Sequence, residues 1–293
     1  MSYKPLFKWT GGKNRMFDHY SPYFYPKDDF DTFVDCFFGA GSISTWIIER
    51  YPNVKFVIND FNSELILMYR QLSLDGDTFI RKANEVQKKF RSYEDLSDKK
   101  KYYDELRYRH IDQRDEPMDE AVQLYCMMRV NFNGWWKIYD YSNGRYASHM
   151  GVMRENIISI PQLKKWSEFL SSKCTILNSD FSEVESHLGK KSYIYFDPPY
   201  RDSFTLYTDE DFNENDQLRL CDFAEEMSSR GHYVSYSNKE IGDGFFEKNL
   251  PTFNRNFFGV NYTAGRGTSY NDASEILATN FQQGNIGLED FFA

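Results

Sequence analysis

Six consecutive residues, Tyr195-Phe196-Asp197-Pro198-Pro199-Tyr200, combine an acid, two prolines and an aromatic ring at the end of a short apolar run. These types suit one kind of chemistry. An amino group on an aromatic base is a poor nucleophile because its lone pair is delocalised into the ring. A carboxylate and a backbone carbonyl that accept its two N–H bonds draw the nitrogen toward a tetrahedral form, with the lone pair facing an electrophile. The side chain of Asp197 and the carbonyl of Pro198 can be those acceptors, and Tyr200 can stack on the ring. Pro198 and Pro199 stiffen the loop, so the acceptors are in place before charge develops on the nitrogen. A Pro-Pro turn that merely ends a strand explains the prolines but gives no reason for Asp and Tyr to flank them.

A second group, Asp35-Cys36-Phe37-Phe38-Gly39-Ala40-Gly41-Ser42, reads as a strand that ends in glycines and opens a helix. Glycines there let a ligand approach the backbone beside a helix N-terminus, as nucleotide-type cofactors require. The dinucleotide fingerprint places a third glycine where Ser44 stands, so a nicotinamide cofactor is disfavoured. About 20 residues on, Asp60 closes the next apolar run, where a carboxylate can accept hydrogen bonds from a ribose diol. Alone, Asp60 reads equally well as a solvated turn residue. With the glycine loop it points to an adenosine-containing cofactor. Near the start of the chain, Gly11-Gly12 reads as a tight turn and Lys13 can pair with a cofactor carboxylate, but taken alone the segment is only a basic loop.

The elements that must position these groups follow from periodicity. Short β-rich apolar runs at Phe33–Phe38, Lys55–Asn59, Cys174–Asn178, Ser192–Asp197, Tyr233–Tyr236 and Glu275–Phe281 read as buried strands. Helical patterns at Ser42–Tyr51, Ser63–Leu72 and Asn215–Arg230 lie between them, which is the alternation of a doubly wound α/β sheet. More than 100 residues separate the second and third runs. Within them, Thr78–Tyr93, Lys99–Ile111 and Asp119–Val130 read as helices rich in charge and tyrosine, and Asn131–Met150 as a Gly/Asn/aromatic loop or hairpin. The expected organisation is a catalytic domain of residues 1–70 and 170–293, interrupted by an inserted, mainly helical domain at 71–169. A helical cap with no ligand role is the plainer account of the insert.

Composition narrows the classes. The longest apolar runs fall short of the roughly 20 residues that cross a bilayer, and Met1–Thr10 lacks a signal-peptide core, so no membrane partner and a soluble, cytoplasmic protein are expected. Cys36, Cys126, Cys174 and Cys221 lie far apart and the five histidines form no ligand spacing, so neither a metal site nor a disulfide framework is expected. The net charge of −9 argues against a polyanionic partner, but it is unevenly spread. Residues 71–169 hold 17 Lys and Arg against 16 Asp and Glu, which leaves the remainder at −10. The middle third is the better candidate for a nucleic-acid face, although clusters such as Lys99-Lys100-Lys101 more often coat a solvated helix.

Taken in order, these motifs resemble the Dam-type, class I (D12 class, alpha group) DNA adenine-N6 methyltransferases across essentially the whole chain. Phe7-Lys-Trp9-Thr10-Gly11-Gly12-Lys13 is similar to the family's N-terminal motif, whose Trp and Lys contact S-adenosylmethionine. The loop Phe37–Ser42 and Asp60 match its cofactor loop and ribose-binding acid, and Asn178-Ser-Asp180-Phe181 the segment flanking the cofactor adenine. Asp197–Tyr200 matches its catalytic tetrapeptide, whose Asp form separates adenine enzymes from most N4-cytosine ones. Tyr207–Phe212, Asp216-Gln217, Arg230-Gly231, Ser237-Asn238 and Glu275-Ile-Leu-Ala-Thr-Asn280-Phe281 continue the pattern.

The resemblance implies a Rossmann-like S-adenosylmethionine-dependent fold and a methyl transfer to an adenine flipped out of double-stranded DNA. It also implies that residues 71–169 recognise the target. Arg129, Asn133, Gly134, Trp135, Trp136, Lys137 and Arg145 are the implied DNA contacts. Trp135 and Trp136 suit either a wedge filling the space of an extruded base or the core of a small domain. Members that read GATC carry Arg where Lys137 stands and Pro where Met150 stands, and Arg and Lys offer guanine different donor geometry, so GATC is not implied. Cytosine N4, RNA adenine or a protein amide as substrate, and a non-catalytic DNA binder, are the rival readings. The target sequence, a cognate endonuclease, a bacterial or viral source and the oligomeric state are left open by the sequence.

Overall fold

The computed structural model describes residues 2–9, 11–112, 116–132, 134, 150–151, 157–201, 212–260 and 273–281. Among them, seven strands form one sheet: β1 Thr32–Asp35, β2 Lys55–Asn59, β3 Cys174–Leu177, β4 Ser192–Phe196, β5 Tyr233–Glu240, β6 Asn254–Val260 and β7 Ala273–Thr279. Their order is β3-β2-β1-β4-β5-β7-β6, with β7 antiparallel to both neighbours and the β3-to-β5 block parallel. The chain winds outward from β1 in one direction and resumes at β4 in the other. The crevice beyond the C-terminal ends of β1 and β4 is therefore the switch point, where open α/β sheets bind ligands.

Helices α1 Phe17–Phe24, α2 Ser42–Arg50, α3 Ser63–Leu74, α4 Gly76–Ser92, α5 Leu96–Asp112, α6 Pro117–Val130, α7 Ile160–Lys173, α8 Glu214–Ser229 and α9 Phe245–Asn249 surround the sheet. Side-chain alternation along the strands explains the two-sided cover. Val57, Val34, Ile194 and Val234 stand side by side across four strands, and all face the helices α8 and α9. The adjacent row, Phe56, Phe33, Tyr193 and Tyr233, faces the opposite core. That core is unusually aromatic, and two of its buried strand tyrosines have hydroxyl partners: Tyr193 donates to the Phe24 carbonyl at 2.6 Å, and Tyr195 shares a hydrogen bond with Ser237 at 2.7 Å.

Local chemistry sets the helix ends. Asn62 and Asp75 accept backbone N–H bonds at the starts of α3 and α4, and Asn213 and Asp216 form a capping box on α8. The helices of the middle segment do not stand apart from the sheet. Helices α6 and α7 pack on α3, α4 packs on α6 and α7, and one continuous apolar core joins all of them to the aromatic face of the sheet. Buried Gln87 on α4 accepts the N–H of Ile157 and Ile158 at 3.0 and 3.1 Å, tying the segment that leads into α7 to α4. Helix α7 itself spans the expected boundary at 169/170. Asn131 and Met150 pair as an isolated antiparallel bridge, so the two ends of the segment expected as a loop or hairpin meet; most residues between them lie outside the described ones. Among the described residues, no helix is long and apolar enough to cross a membrane, and no three of His, Cys, Asp and Glu are placed to share a metal ion.

Candidate active site

Three acids converge at the switch point. Asp35 ends β1, Asp60 follows β2 and Asp197 follows β4, because parallel strands present their C-terminal ends on one edge. Asp35 is 2% exposed; its Oδ2 accepts the Ser44 hydroxyl at 2.8 Å, and its Oδ1 has no hydrogen-bond partner among the described residues. Burial pushes its carboxyl up to about 7; Ser44 pulls it back, and Asp197 and Asp60 push it further. Burial likewise raises Asp60, against the pull of the Asn62 and Gly39 amides. These amides donate to Asp60 Oδ1 at 2.9 Å and Oδ2 at 2.7 Å, which fixes the carboxylate and leaves lone pairs for further donors.

The glycine loop owes its shape to close packing. Gly39 has φ +50°, and a Cβ there would lie 2.9 Å from Trp9 Cδ1, so Trp9 covers the loop only because position 39 is bare. The Gly41 amide closes the turn on the Phe38 carbonyl at 2.7 Å, and α2 then begins at Ser42. Ala40 is buried beside them, and Tyr69 donates its hydroxyl to the Gly39 carbonyl at 2.9 Å. Phe61, next to Asp60, leaves 52% of its surface exposed at the same edge, and Asn178 donates to the carbonyls of both residues.

The tetrapeptide is held from three sides. Gln217 on α8 donates to the Pro199 carbonyl at 2.7 Å, and Gln217 is fixed in turn by Tyr236 and Asn238. Ser237 donates to Asp197 Oδ1 at 3.1 Å. Arg201 closes the loop: its guanidinium grips Asp243 at 2.9 and 2.6 Å and lies 3.7 Å over the Phe245 ring. Beneath the loop, Lys13 Nζ reaches Asp197 Oδ1 and Oδ2 at 2.6 and 2.8 Å and the Gly11 carbonyl at 3.0 Å, so all three ammonium protons have acceptors. It also sits 4.9 Å from the Tyr200 ring.

Burial pulls the Lys13 ammonium down, but Asp197, with Tyr195 and Glu275, outweighs that and raises it. Burial also raises Asp197, against the pull of Lys13. The two shifts favour opposite states of the pair. The 2.6 Å contact decides for the ionised one, because neutralising either partner would strand the other charge in a buried site.

Several residues singled out by sequence keep other company. Lys13, read as a partner for a cofactor carboxylate, has its ammonium committed to Asp197. Asp180 pairs both oxygens with Arg219 at 2.8 Å, and although burial alone would push its carboxyl up, Arg219 and Ser182 hold it near 2. Phe181 is only 3% exposed, packed among Phe37, Phe212 and Phe223 with Arg219 over its face. Arg129, expected at DNA, donates from Nε to the Ile157 carbonyl at 2.6 Å and from Nη1 to the Leu6 carbonyl at 3.0 Å. These two bonds tie the N-terminal segment and the chain leading into α7 to the last turn of α6. Gly134 is buried against Lys8, where a Cβ would lie 2.7 Å from the carbonyl oxygen, so the chain at Gly134 abuts the segment that carries Trp9. Thr10, Asn133, Trp135, Trp136, Lys137 and Arg145 lie outside the described residues.

Asp35, Phe61, Arg201 and Glu275 are among the contributors whose role the sequence does not announce. The signal for Asp35 was its place immediately before a glycine loop. Glu275 directly precedes the apolar Ile276-Leu277-Ala278 of its strand and is itself buried, where a charge needs a reason.

Comparison with known proteins gives a family model for D12 class N6 adenine-specific DNA methyltransferase, matching residues 9–258. The chain is 32% identical to the type II methyltransferase M1.LlaDCHI of Lactococcus lactis subsp. cremoris, over 95% of each chain. It is 27% identical to the type II methyltransferase M.MjaIII of Methanocaldococcus jannaschii, over 87% of this chain and 90% of that one. A DNA adenine methylase of Vibrio cholerae is 26% identical over 81% of this chain and 82% of its own.

Proposed function

The chain belongs to the D12 class N6 adenine-specific DNA methyltransferase family and is a DNA adenine methyltransferase; within that activity we propose that it moves the methyl group of S-adenosylmethionine to N6 of an adenine flipped out of duplex DNA. The observation that carries the cofactor assignment is the convergence of Asp35, Asp60 and Asp197. One buried acid, Asp35, and two half-buried ones, Asp60 and Asp197, gathered at one edge of the sheet suit a ligand that brings its own positive charge and hydroxyls. S-adenosylmethionine has a sulfonium, an ammonium and a ribose diol. It fits the donor set: the partnerless Oδ1 of Asp35 can receive the ammonium, Asp60 the diol, and the exposed Phe61 ring can cover the adenine. Trp9, Gly39, Ala40, Gly41 and Ser42 would frame the methionine end. Asp180 and Phe181 border the adenine end, acting through Arg219 and the aromatic floor.

When bound, the cofactor supplies a methyl group on a positively charged sulfur that departs as a neutral thioether, so the protein has to prepare the nucleophile and let the methylated nitrogen shed one of its two protons. Asp197 and the Pro198 carbonyl accept the two N6 hydrogens and localise the nitrogen lone pair. Tyr200 stacks on the base. Lys13 keeps Asp197 ionised, and therefore an acceptor, inside a site that would otherwise favour its neutral form. Stacked and paired N6 is out of reach inside a duplex, which is why extrusion is required. Residues 71–169, with the segment whose ends pair at Asn131 and Met150, are assigned to target recognition.

Incubation with S-adenosylmethionine and unmethylated genomic DNA, followed by mass spectrometry of the nucleosides, tests this function. N6-methyladenine is the expected product, and mapping the modified positions would reveal the site read. N4-methylcytosine, or no modified base, would overturn the substrate assignment.

A further inference from the structure

One carboxylate in the pocket takes no part in the mechanism above. Glu275 lies on β7, 3% exposed, with Oε1 accepting the Tyr200 hydroxyl at 2.6 Å and Oε2 accepting the Tyr20 hydroxyl at 2.8 Å. Burying a charge inside a sheet costs stability unless strong hydrogen bonds offset it, and hydroxyl-to-carboxylate bonds of this length are among the strong ones. A residue needed only for packing at this position would be apolar, like its neighbours Ile276 and Leu277. The two donors differ in what they do. Tyr20 is fully buried on α1, with Phe258 packed on its ring, and serves as a fixed post. Tyr200 ends the tetrapeptide, and its ring is the face offered to the base.

We propose that Glu275 is a positioning residue for methyl transfer. By tying the Tyr200 hydroxyl to the immobile Tyr20, it sets the plane on which the target adenine stacks, and so the angle at which the amine meets Asp197 and Pro198. The carboxylate adds a second effect. Lys13, Asp197 and Glu275 together leave one excess negative charge near the amine, which favours the positive charge that nitrogen acquires as it attacks. This inference rests on the adenine-methylation reading given above.

The test is a double-mutant cycle of Glu275→Gln and Tyr200→Phe in the full chain. The readouts are single-turnover methyl transfer to a duplex bearing the mapped site, and the fluorescence of 2-aminopurine in place of the target adenine. Each single variant should lose about 10- to 100-fold in transfer rate, the value of one hydrogen bond to a charged group. The double variant should fall no further than the weaker single, within about two-fold. Fluorescence should rise in all three as the base stacks less firmly, while S-adenosylmethionine affinity stays near wild type. Multiplicative losses, a wild-type rate for Glu275→Gln, or cofactor affinity falling in step with the rate would overturn the clamp. Should Glu275→Gln fail to fold, Tyr20→Phe in the Tyr200→Phe background, which removes a single oxygen, carries the same cycle. A wild-type enzyme that methylates no adenine removes the functional reading, whereas an active enzyme with unaffected variants removes only the clamp.

Discussion

With the cofactor ammonium proposed at Asp35, affinity for S-adenosylmethionine should depend on pH in a defined direction. The Asp35 carboxyl is pushed up to about 7 by burial and by Asp197 and Asp60, against an ordinary value near 4. Three units correspond to about 4 kcal/mol favouring the protonated form in the folded protein. The sign for stability follows: with a raised carboxyl, stability is fully present below the unfolded value near 4 and is lost as pH rises through about 7. A cationic ligand at Oδ1 reverses this preference, so below pH 7 binding must expel the proton. Affinity for S-adenosylmethionine should improve by up to about ten-fold per unit between pH 5.5 and 7 and then level off. Calorimetry in buffers of different protonation enthalpy should register close to one proton released at pH 6 and markedly fewer at pH 7.5. The Asp35→Asn variant should bind the cofactor about 10- to 100-fold more weakly at pH 7.5, with a shallower slope, because it loses a charged hydrogen bond. Without cofactor it should be at least as stable as wild type at pH 8, since the penalty on a buried carboxylate is gone. A flat affinity profile without proton release, or an Asn variant that keeps the wild-type slope, would refute the placement of the ammonium at Asp35.

Other consequences can be checked directly. Asp197→Ala removes an acceptor for the N6 amine and should lower single-turnover transfer by at least about 10²-fold while leaving DNA binding, measured by anisotropy, largely intact; activity within a few-fold of wild type would defeat the catalytic role. Lys13→Met strands Asp197 in a buried site, which costs about 3–5 kcal/mol and should lower Tm by roughly 10 °C near neutral pH, with much of the loss recovered in Lys13→Met/Asp197→Asn. Gly39→Ala places a Cβ against the Trp9 indole at a positive φ, so cofactor titration should show weakened binding even where the fold survives; unchanged affinity would free Trp9 from the site. Lys137→Ala should alter which sequences are methylated more than it alters cofactor affinity, and equal loss at every sequence would point to a phosphate contact instead.

The sheet was legible because its strands are short apolar runs bounded by turn chemistry, and six of the seven described strands lie where such runs occur. β6 escaped because Asn254-Arg255-Asn256 opens it with polar residues, and as an edge strand it leaves Phe257 49% exposed. An edge strand has only one neighbour to satisfy and need not be apolar. Helix α1 was hidden by Pro22 in its interior, a residue that argues against a helix locally and is outvoted here by Tyr20 and Phe24, both fully buried. Helix α7 was readable in principle, since Leu163, Trp166, Phe169 and Leu170 mark one face. It lay unclaimed at the end of a segment treated as an insert.

At the site, the motifs Asp35–Ser42, Asp60 and Asp197–Tyr200 lie on loops that the sheet brings to one edge, but nothing in them names their partners. Sequence order can say that Lys13 and Asp197 both belong to one pocket, yet 184 positions separate them, and no local pattern encodes their 2.6 Å contact. The same holds for Tyr20 and Tyr200, whose hydroxyls both donate to Glu275. Each of these pairs is forced by burial: a charged or hydroxylated side chain carried into the core by its element must find a partner there, and the switch point is where α1, β4 and β7 leave room for one. Residues whose role is to touch a ligand tend to announce themselves by type and spacing. Those that hold the first set in place announce themselves mainly as anomalies, a lysine in a buried turn or a glutamate buried in a strand. The polar misfits of an otherwise apolar element are therefore the positions to substitute first when the second layer of such a site is sought.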